Sequence, residues 1–130
     1  MKLLALDYGA SRTGVAVSDV TATIARPLTV IERAASKDGL EQIAALVAHH
    51  QACRVVVGLP LTLRGERGAQ ARETERFVEM LREALDVPVE TFDERFTTAL
   101  AGRTSSGTPE DARAAAHLLA GYLERESARG

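Results

Sequence analysis

Acidic side chains stand at three places in this sequence where a strand ends or a helix begins. Asp7 closes the apolar run "LLAL", Asp93 and Glu94 follow the apolar segment "VPVETF", and Asp111 opens the last helical pattern. In open α/β sheets, binding sites lie beyond the carboxyl ends of the parallel strands, so the strand-end acids are expected to meet at one edge. Asp7 alone would also suit an ordinary turn, because aspartate forms local hydrogen bonds there.

Asp111 adds a stronger argument because of its place on the last helix. Thr108 is a good N-cap and Pro109 suits the first helical position, so Asp111 could be merely a capping carboxylate. However, the same helical face continues with apolar residues, and a carboxylate that heads a buried stripe needs hydrogen bonds, a cation or a metal. The apolar residues of this stripe are Ala115, Leu118, Leu119 and Tyr122.

A site built from carboxylates alone suits Mg²⁺ or Mn²⁺ better than zinc, since these hard cations prefer oxygen ligands. The three histidines and the single Cys53 show no zinc-binding spacing. Acids gathered at one edge would repel one another unless divalent cations neutralised them. Hard metals at such sites meet phosphates, so a phosphate-bearing substrate is expected.

The elements that must position these acids follow from the apolar pattern. Residues 3–6 are continuously apolar, as in a strand buried on both faces, and a glycine turn leads into an alternating partner strand. A meander of three strands is followed by helix, strand, helix, strand and helix, which predicts a mixed five-stranded sheet with helices on both faces and parallel neighbours at the crossovers. The predicted strands are 3–6, 13–19, 28–32, 54–60 and 87–92, and the predicted helices are 38–50, 69–85, 97–101 and 109–126.

Two of these helices carry further signals. Asp38, with Glu41 three residues later, predicts a capping box at the start of the first helix. The apolar stripe predicted for the second helix consists of Phe77, Met80, Leu81 and Ala84.

Composition limits the classes of protein that fit. A chain of 130 residues suits one domain, residues 1–130, and no segment is apolar for the roughly eighteen residues that a membrane span needs. Its single cysteine excludes an internal disulfide and favours a reducing compartment, the cytoplasm. A net charge of −2 excludes a surface coated in basic residues, although 14 of the 16 cationic residues are arginines.

Four blocks of the chain resemble, in order, the signature blocks of the YqgF/RuvX family of RNase H-like nucleases. They are "LALDYGASRTGVAVSD", "VVVGLPLTLRGERG", "FDERFTT" and "DARAAAHLLAGYL", and they span most of the chain. The resemblance implies an RNase H-like, resolvase-type fold, a bacterial cytoplasmic protein, and a metal-dependent nuclease that matures the 5′ end of pre-16S rRNA or cleaves Holliday junctions.

The resemblance also implies roles for the acids. Asp7 is similar to the family's first-strand acid, Glu94 to the acid of its "DER" motif, and Asp111 to the acid of its last helix. These three are the expected catalytic residues and Mg²⁺ or Mn²⁺ ligands in phosphodiester hydrolysis, where two metal ions assist and no protein nucleophile is needed. Asp93 could support a ligand or simply cap the turn.

Two departures from the family pattern stand out. The connection 102–109 looks shorter than usual and lacks the family's lysines, and Thr13 stands where an aliphatic residue more often precedes the glycine.

Substrate binding is expected to depend on arginines near the acid-bearing edge, although solvated surface charge is the commoner fate of any one arginine. Few aromatic residues lie nearby, which favours recognition of backbone shape over base stacking. A resolvase that makes paired cuts would act as a symmetric homodimer. The arginines expected to contact nucleic acid are Arg12, Arg64, Arg67, Arg72 and Arg95.

Two other functions fit parts of the sequence. A phosphotransferase of the actin and sugar-kinase type also has an aspartate and a glycine turn after a buried strand, but the chain shows no second phosphate loop and is too short for two lobes. A noncatalytic nucleic-acid-binding module with this fold would require the acids of three separate blocks to serve structure alone.

Overall fold

The computed structural model describes residues 1–60, 68–93 and 110–129, which form a five-stranded sheet and three helices. The predicted helix at 97–101 lies outside the described residues, as do Thr108 and Pro109. The strands are β1 (Lys2–Asp7), β2 (Arg12–Ser18), β3 (Ala25–Glu32), β4 (Ala52–Leu59) and β5 (Val89–Asp93), and the helices are α1 (Lys37–His50), α2 (Ala69–Ala84) and α3 (Glu110–Arg129).

The sheet has the strand order β3-β2-β1-β4-β5. β1, β2 and β3 form an antiparallel meander, while β4 is parallel to both β1 and β5. The carboxyl ends of β1, β4 and β5 therefore lie along one edge of the sheet. The mixed sheet predicted from the apolar pattern is confirmed, including its parallel neighbours at the helical crossovers.

The core has two layers, one on each face of the sheet. Leu4 and Leu6 of β1 pack with α1 and α2 in the first layer, and Leu3 and Ala5 pack with α3 in the second. All four side chains are at most 5% exposed, as expected for a central strand covered on both faces. Helices therefore cover both faces, as predicted.

The start of α1 differs from the prediction. Ser36, rather than Asp38, is the N-cap, and its side chain accepts a hydrogen bond from the Gly39 amide at 3.0 Å. α1 begins at Lys37, and Gly39 in its first turn packs directly against the backbone of Arg33 and Ala34, where a β-carbon would come within 2.4 Å of the Arg33 carbonyl oxygen. The Asp38–Glu41 capping box is therefore wrong.

The buried stripe of α2 is also only partly as predicted. Phe77 and Leu81 are buried, but Met80 and Ala84 are exposed. Thr74 takes an inner position, and its hydroxyl donates to the Gln70 carbonyl at 2.9 Å, which removes the cost of burying that polar group. The complete set of buried residues of α2 is Ala71, Thr74, Phe77, Val78 and Leu81.

No helix among residues 1–60, 68–93 and 110–129 is both long and apolar enough to cross a lipid bilayer.

Candidate functional site

Asp7 is the last residue of β1 and lies on the face of the sheet that α3 covers. Side chains alternate along a strand, and Leu3 and Ala5, on the same face as Asp7, pack in the α3 layer. Tyr8 points to the other layer, where its ring stacks on Phe77 with centroids 4.3 Å apart. This stacking fixes the direction of the chain where β1 ends, and Asp7 is left half-buried beneath the start of α3.

Gly14 brings Asp111 next to Asp7. Asp7 and Gly14 are partners in the antiparallel pairing of β1 with β2, and such partners have Cα atoms about 4.5–5.5 Å apart. A β-carbon on Gly14 would lie only 1.8 Å from the Asp111 carbonyl oxygen. The first turn of α3 therefore rests directly on the backbone of β2, beside the end of β1.

The stripe that Asp111 heads is buried as predicted. Ala115, Leu118, Leu119 and Tyr122 are each at most 5% exposed, whereas Glu110 and Glu124 are exposed. Asp111 itself is half-buried, so its carboxylate stands at the border between the α3 layer and solvent.

The Asp111 carboxylate is paired with a guanidinium. The Nε atom of Arg12 lies 3.2 Å from Oδ2 of Asp111, and the two side chains are 65% and 37% exposed. Arg12 opens β2 on the same face as Gly14, because residues two apart on a strand point to the same side. The sequence predicted Arg12 as a phosphate contact, and the structure adds an intramolecular partner for it.

The other predicted site residues are placed only in part. Glu94, Arg95, Arg64 and Arg67 lie outside the described residues. Arg72 is exposed in the first turn of α2, the helix that follows the carboxyl end of β4. Within residues 1–60, 68–93 and 110–129, no three metal-binding side chains come together.

Asp93 closes β5 at the same edge of the sheet as Asp7. The two strands are separated by β4, and strands are spaced about 4.8 Å apart, so roughly 10 Å separates them. Asp93 is half-buried and lines a groove between β5 and α3, together with Arg125.

A polar network anchors the middle of α3 to β4 and β5. Arg54 donates to the Tyr122 hydroxyl at 2.9 Å, and Tyr122 donates to a Glu90 carboxylate oxygen at 2.8 Å. Burial, followed by the hydrogen bond to Glu90, raises the pKa of Tyr122. The Tyr122 ring also meets Phe92 edge-on at 5.6 Å. These contacts hold α3 across the sheet and so help to fix where its first turn lies.

Two contacts of this site escaped the sequence interpretation. The first is the close contact between Asp111 and Gly14. A glycine inside a strand pattern was its signal in the sequence, since such a glycine often marks close approach of another backbone. The second is the Arg12–Asp111 pair. Nothing in the local pattern around either residue indicates it.

Solved structures of two resolvases share this arrangement of strands and helices. RuvC of T. thermophilus in complex with a Holliday junction substrate aligns with a TM-score of 0.57 at 19% identity, over 98% of this chain and 97% of that chain. A fowlpox virus resolvase in complex with Holliday junction DNA aligns with a TM-score of 0.58 at 12% identity, over 97% and 99% of the two chains. At these identities the likeness concerns the fold, which is RNase H-like and of the resolvase type.

Sequence relatives define the family within that fold. A family model, RuvX, described as Holliday junction resolvase, matches residues 1–125. A protein named "Putative pre-16S rRNA nuclease" from Chloroflexus aggregans (strain MD-66 / DSM 9485) is 54% identical over 99 residues, 76% of this chain and 70% of the relative. One of the same name from Sulfurihydrogenibium sp. (strain YO3AOP1) is 39% identical over 135 residues, 97% and 92% of the two. The chain belongs to the RuvX family, a family of nucleases, which confirms the resemblance of its four blocks.

Proposed function

We propose that this chain is a divalent-metal-dependent endonuclease that hydrolyses phosphodiester bonds in structured nucleic acid, acting as a single domain over residues 1–130. The observation that carries the proposal is the close contact between the backbone of Asp111 and Gly14. The strand partner of Gly14 is Asp7, which therefore lies beside this contact. This arrangement supports a site in which an acid from β1 and an acid from α3 share the carboxyl edge of the parallel strands, where α/β sheets place their sites.

The residues at this edge fit a hard divalent cation. Asp7 and Asp111, with Glu94 from the end of the β5 segment, would hold Mg²⁺ or Mn²⁺ through oxygen atoms alone. The Asp111 carboxylate is accessible to a positive group, since the Arg12 guanidinium contacts it. When bound, the metal would supply the charge neutralisation and the activation of water that hydrolysis of a phosphodiester requires.

The protein's own contribution is to hold these acids in place before substrate arrives. Gly14 sets the approach of Asp111 to the sheet, while the Tyr8–Phe77 stack fixes the chain beside Asp7. Burial, followed by the negative charge of Glu73, raises the pKa of Tyr8, so its hydroxyl stays neutral and adds no negative charge there. Two carboxylates on rigid elements can bind a cation with little loss of conformational freedom.

Nucleic acid would approach this edge through its phosphates. Arg72 is exposed at the start of α2, Arg64 and Arg67 follow the "VGLP" end of β4 in the sequence, and Arg95 directly follows Glu94. Planar guanidinium groups suit phosphate oxygens, and contacts to phosphate carry no sequence information. We therefore expect recognition of backbone shape, with paired cuts in a junction made by a symmetric homodimer.

Two substrates have support. Relatives carry the name of a pre-16S rRNA nuclease, and the family description is Holliday junction resolvase. Action on the 5′ end of pre-16S rRNA and resolution of junctions would both take place in the bacterial cytoplasm. Depleting the protein in its host and sizing the 5′ end of the small-subunit rRNA separates them, since a longer 5′ end favours the ribosomal role.

The proposal is tested by incubating the purified chain with a four-way DNA junction and a structured precursor RNA, each with Mn²⁺, Mg²⁺ or EDTA. We expect cleavage of at least one substrate with either metal and none with EDTA. Binding without cleavage in every condition would support the noncatalytic module instead. Hydrolysis of nucleoside triphosphates without any phosphodiester cleavage would support the phosphotransferase.

A further inference from the structure

The Arg12–Asp111 pair joins a predicted phosphate contact to a predicted metal ligand. Both residues belong to the edge proposed as the nuclease site, and the 3.2 Å contact is an ion pair between the side chains. An arginine paired with a carboxylate in this way cannot offer the same guanidinium edge to a phosphate. For the Nε edge of Arg12 to contact a phosphate, or for Oδ2 of Asp111 to bind a metal, this contact must open.

The surrounding backbone restricts how the pair can open. The main chain of Asp111 is pressed against Gly14, so the first turn of α3 has little room to move toward the sheet. Arg12 lies two residues from Gly14 along β2, about 7 Å away, while Asp7 is the strand partner of Gly14. The first turn of α3 therefore has the Arg12 guanidinium against its Asp111 carboxylate, and the Asp7 end of β1 is one strand away from Gly14. Because the backbone of Asp111 is held against Gly14, an exchange of partners by Asp111 would take place by rotation of its side chain rather than by movement of the helix.

We infer that Arg12 is the internal counter-ion of Asp111 in the metal-free protein, and that a divalent cation competes with the guanidinium for this carboxylate. Binding of the cation between Asp7 and Asp111 releases Arg12 from Asp111. This inference rests on the proposed function, because it takes Asp111 as a metal ligand. It makes Arg12 a positioning residue that orients Asp111 before metal binds and is freed when metal has bound.

The strength of the pair suits such an exchange. With Arg12 65% and Asp111 37% exposed, water and salt screen the attraction, and exposed pairs of this kind change an equilibrium by only about 1.4- to 5-fold. That is enough to bias the orientation of a side chain and small compared with the affinity of two or three carboxylates for a divalent cation. The guanidinium that is released is already solvent-exposed and can meet a phosphate of the substrate.

The inference is tested by titrating Mn²⁺ into the protein without nucleic acid and measuring the dissociation constant by calorimetry. Arg12→Gln removes the competing charge, so we expect it to bind Mn²⁺ roughly two- to fivefold more tightly than wild type. Arg12→Lys keeps a cation beside Asp111 and is expected to bind Mn²⁺ within about twofold of wild type. Because Arg12 is exposed, both variants should fold, and circular dichroism checks this.

Arg26→Gln is the matched control. Arg26 is an exposed arginine on β3, and its strand partner Val17 is five residues along β2 from Arg12, roughly 17 Å away. This exceeds the Debye length of about 10 Å at 0.1 M salt, so the same loss of charge there should leave the Mn²⁺ affinity unchanged.

Asp111→Asn separates failure of the inference from failure of the proposed function. A large loss of Mn²⁺ affinity in this variant, with tighter binding by Arg12→Gln, supports both. A large loss in Asp111→Asn with unchanged or weaker binding by Arg12→Gln overturns the competition and leaves the metal site standing. Unchanged affinity in Asp111→Asn overturns the metal site and the competition together.

Discussion

Gly14 is the residue on which the spatial relation between Asp7 and Asp111 depends. It has no side chain to separate β2 from the first turn of α3, and its strand partner is Asp7. Any larger residue would have to push the start of α3 away from the sheet, because the atoms that it would meet are the carbonyl oxygen of Asp111 and the amide nitrogen of Ala112. These backbone atoms cannot turn aside as a flexible side chain could.

We predict that Gly14→Ala lowers the free energy of unfolding by about 1–3 kcal/mol, the usual cost of inserting a methyl group into a packed contact. We also expect the folded variant to cleave more slowly than wild type, because Asp111 moves away from the sheet with the first turn of α3. Urea unfolding followed by circular dichroism measures the first effect, and cleavage at a temperature where the variant is fully folded measures the second.

Gly68→Ala is the matched control for this change. Gly68 caps α2, and a β-carbon there would meet no atom of residues 1–60, 68–93 and 110–129 within 4 Å. We expect a loss of less than about 1 kcal/mol and unchanged cleavage. If Gly14→Ala loses as little stability and cleavage as Gly68→Ala, the close contact between α3 and β2 is wrong.

The individual acids at this site could be proposed from the sequence, but their contacts could not. Asp111 could be proposed as a site residue because helical periodicity shows which residues share a face. The apolar stripe that it heads is buried, as predicted. The Arg12–Asp111 pair depends on how closely α3 approaches β2, and that distance is set by tertiary packing rather than by any local pattern. Strand-end position alone likewise says nothing about how far apart Asp7 and Asp93 lie.

At the scale of elements, the turn between β2 and β3 is organised by one carboxylate. Asp19 accepts hydrogen bonds from the amides of Thr23 and Ile24, at 2.9 and 3.0 Å, and from the hydroxyl of Thr21. The Thr21 hydroxyl, followed by the two amides, lowers the pKa of Asp19 well below its usual range. The ionised carboxylate therefore stabilises the turn that sets the pairing of β2 with β3.

The pH dependence of this contribution follows from the direction of the shift. Because the pKa of Asp19 is lower in the folded than in the unfolded chain, its stabilisation is fully present above the unfolded value, about 3.9, and is lost as the pH falls below it. We predict that wild type is more stable than Asp19→Asn at pH 7, and that the difference narrows steadily as the pH falls below about 4.

Urea unfolding of both proteins between pH 7 and pH 3 measures this difference, and the comparison cancels the titration of other acids. A difference that stays constant over that range would mean that the charge of Asp19 does not hold the turn.

Element order was predictable because the strands are marked by apolar runs or apolar alternation and the helices by apolar residues at helical spacing. The errors arose where local signals competed. Both Asp38 and Ser36 are residue types that cap helices, and α1 uses Ser36, whose hydroxyl accepts a hydrogen bond from the Gly39 amide. In α2, Met80 was predicted to be buried because it is apolar, but it is exposed. Thr74 completes the buried face instead, and its hydroxyl donates a hydrogen bond to a carbonyl of the same helix.

At the scale of the whole molecule, the sheet order explains how acids distant in sequence come to share one edge of the sheet. β1 and β5 both run parallel to β4, which lies between them, so their carboxyl ends share one edge of the sheet. The first turn of α3 lies directly on β2. This arrangement was predictable as a class, because helical crossovers impose parallel strands. The fold is that of RNase H-like resolvases, and the chain belongs to the RuvX family.

The central claim is that Asp7 and Asp111 belong to one metal-dependent nuclease site, and Asp7→Asn tests it most directly. Removing one carboxylate charge from the site should impair metal binding, and even partners that only orient metal ligands cost 10–100-fold when lost. Cleavage of a four-way DNA junction and of a structured RNA is measured in Mn²⁺, with the fold checked by circular dichroism. Asp38→Asn, which changes an exposed acid on α1, serves as the control. The account predicts at least about a hundredfold slower cleavage by Asp7→Asn and wild-type cleavage by Asp38→Asn. Full cleavage by a correctly folded Asp7→Asn would contradict it.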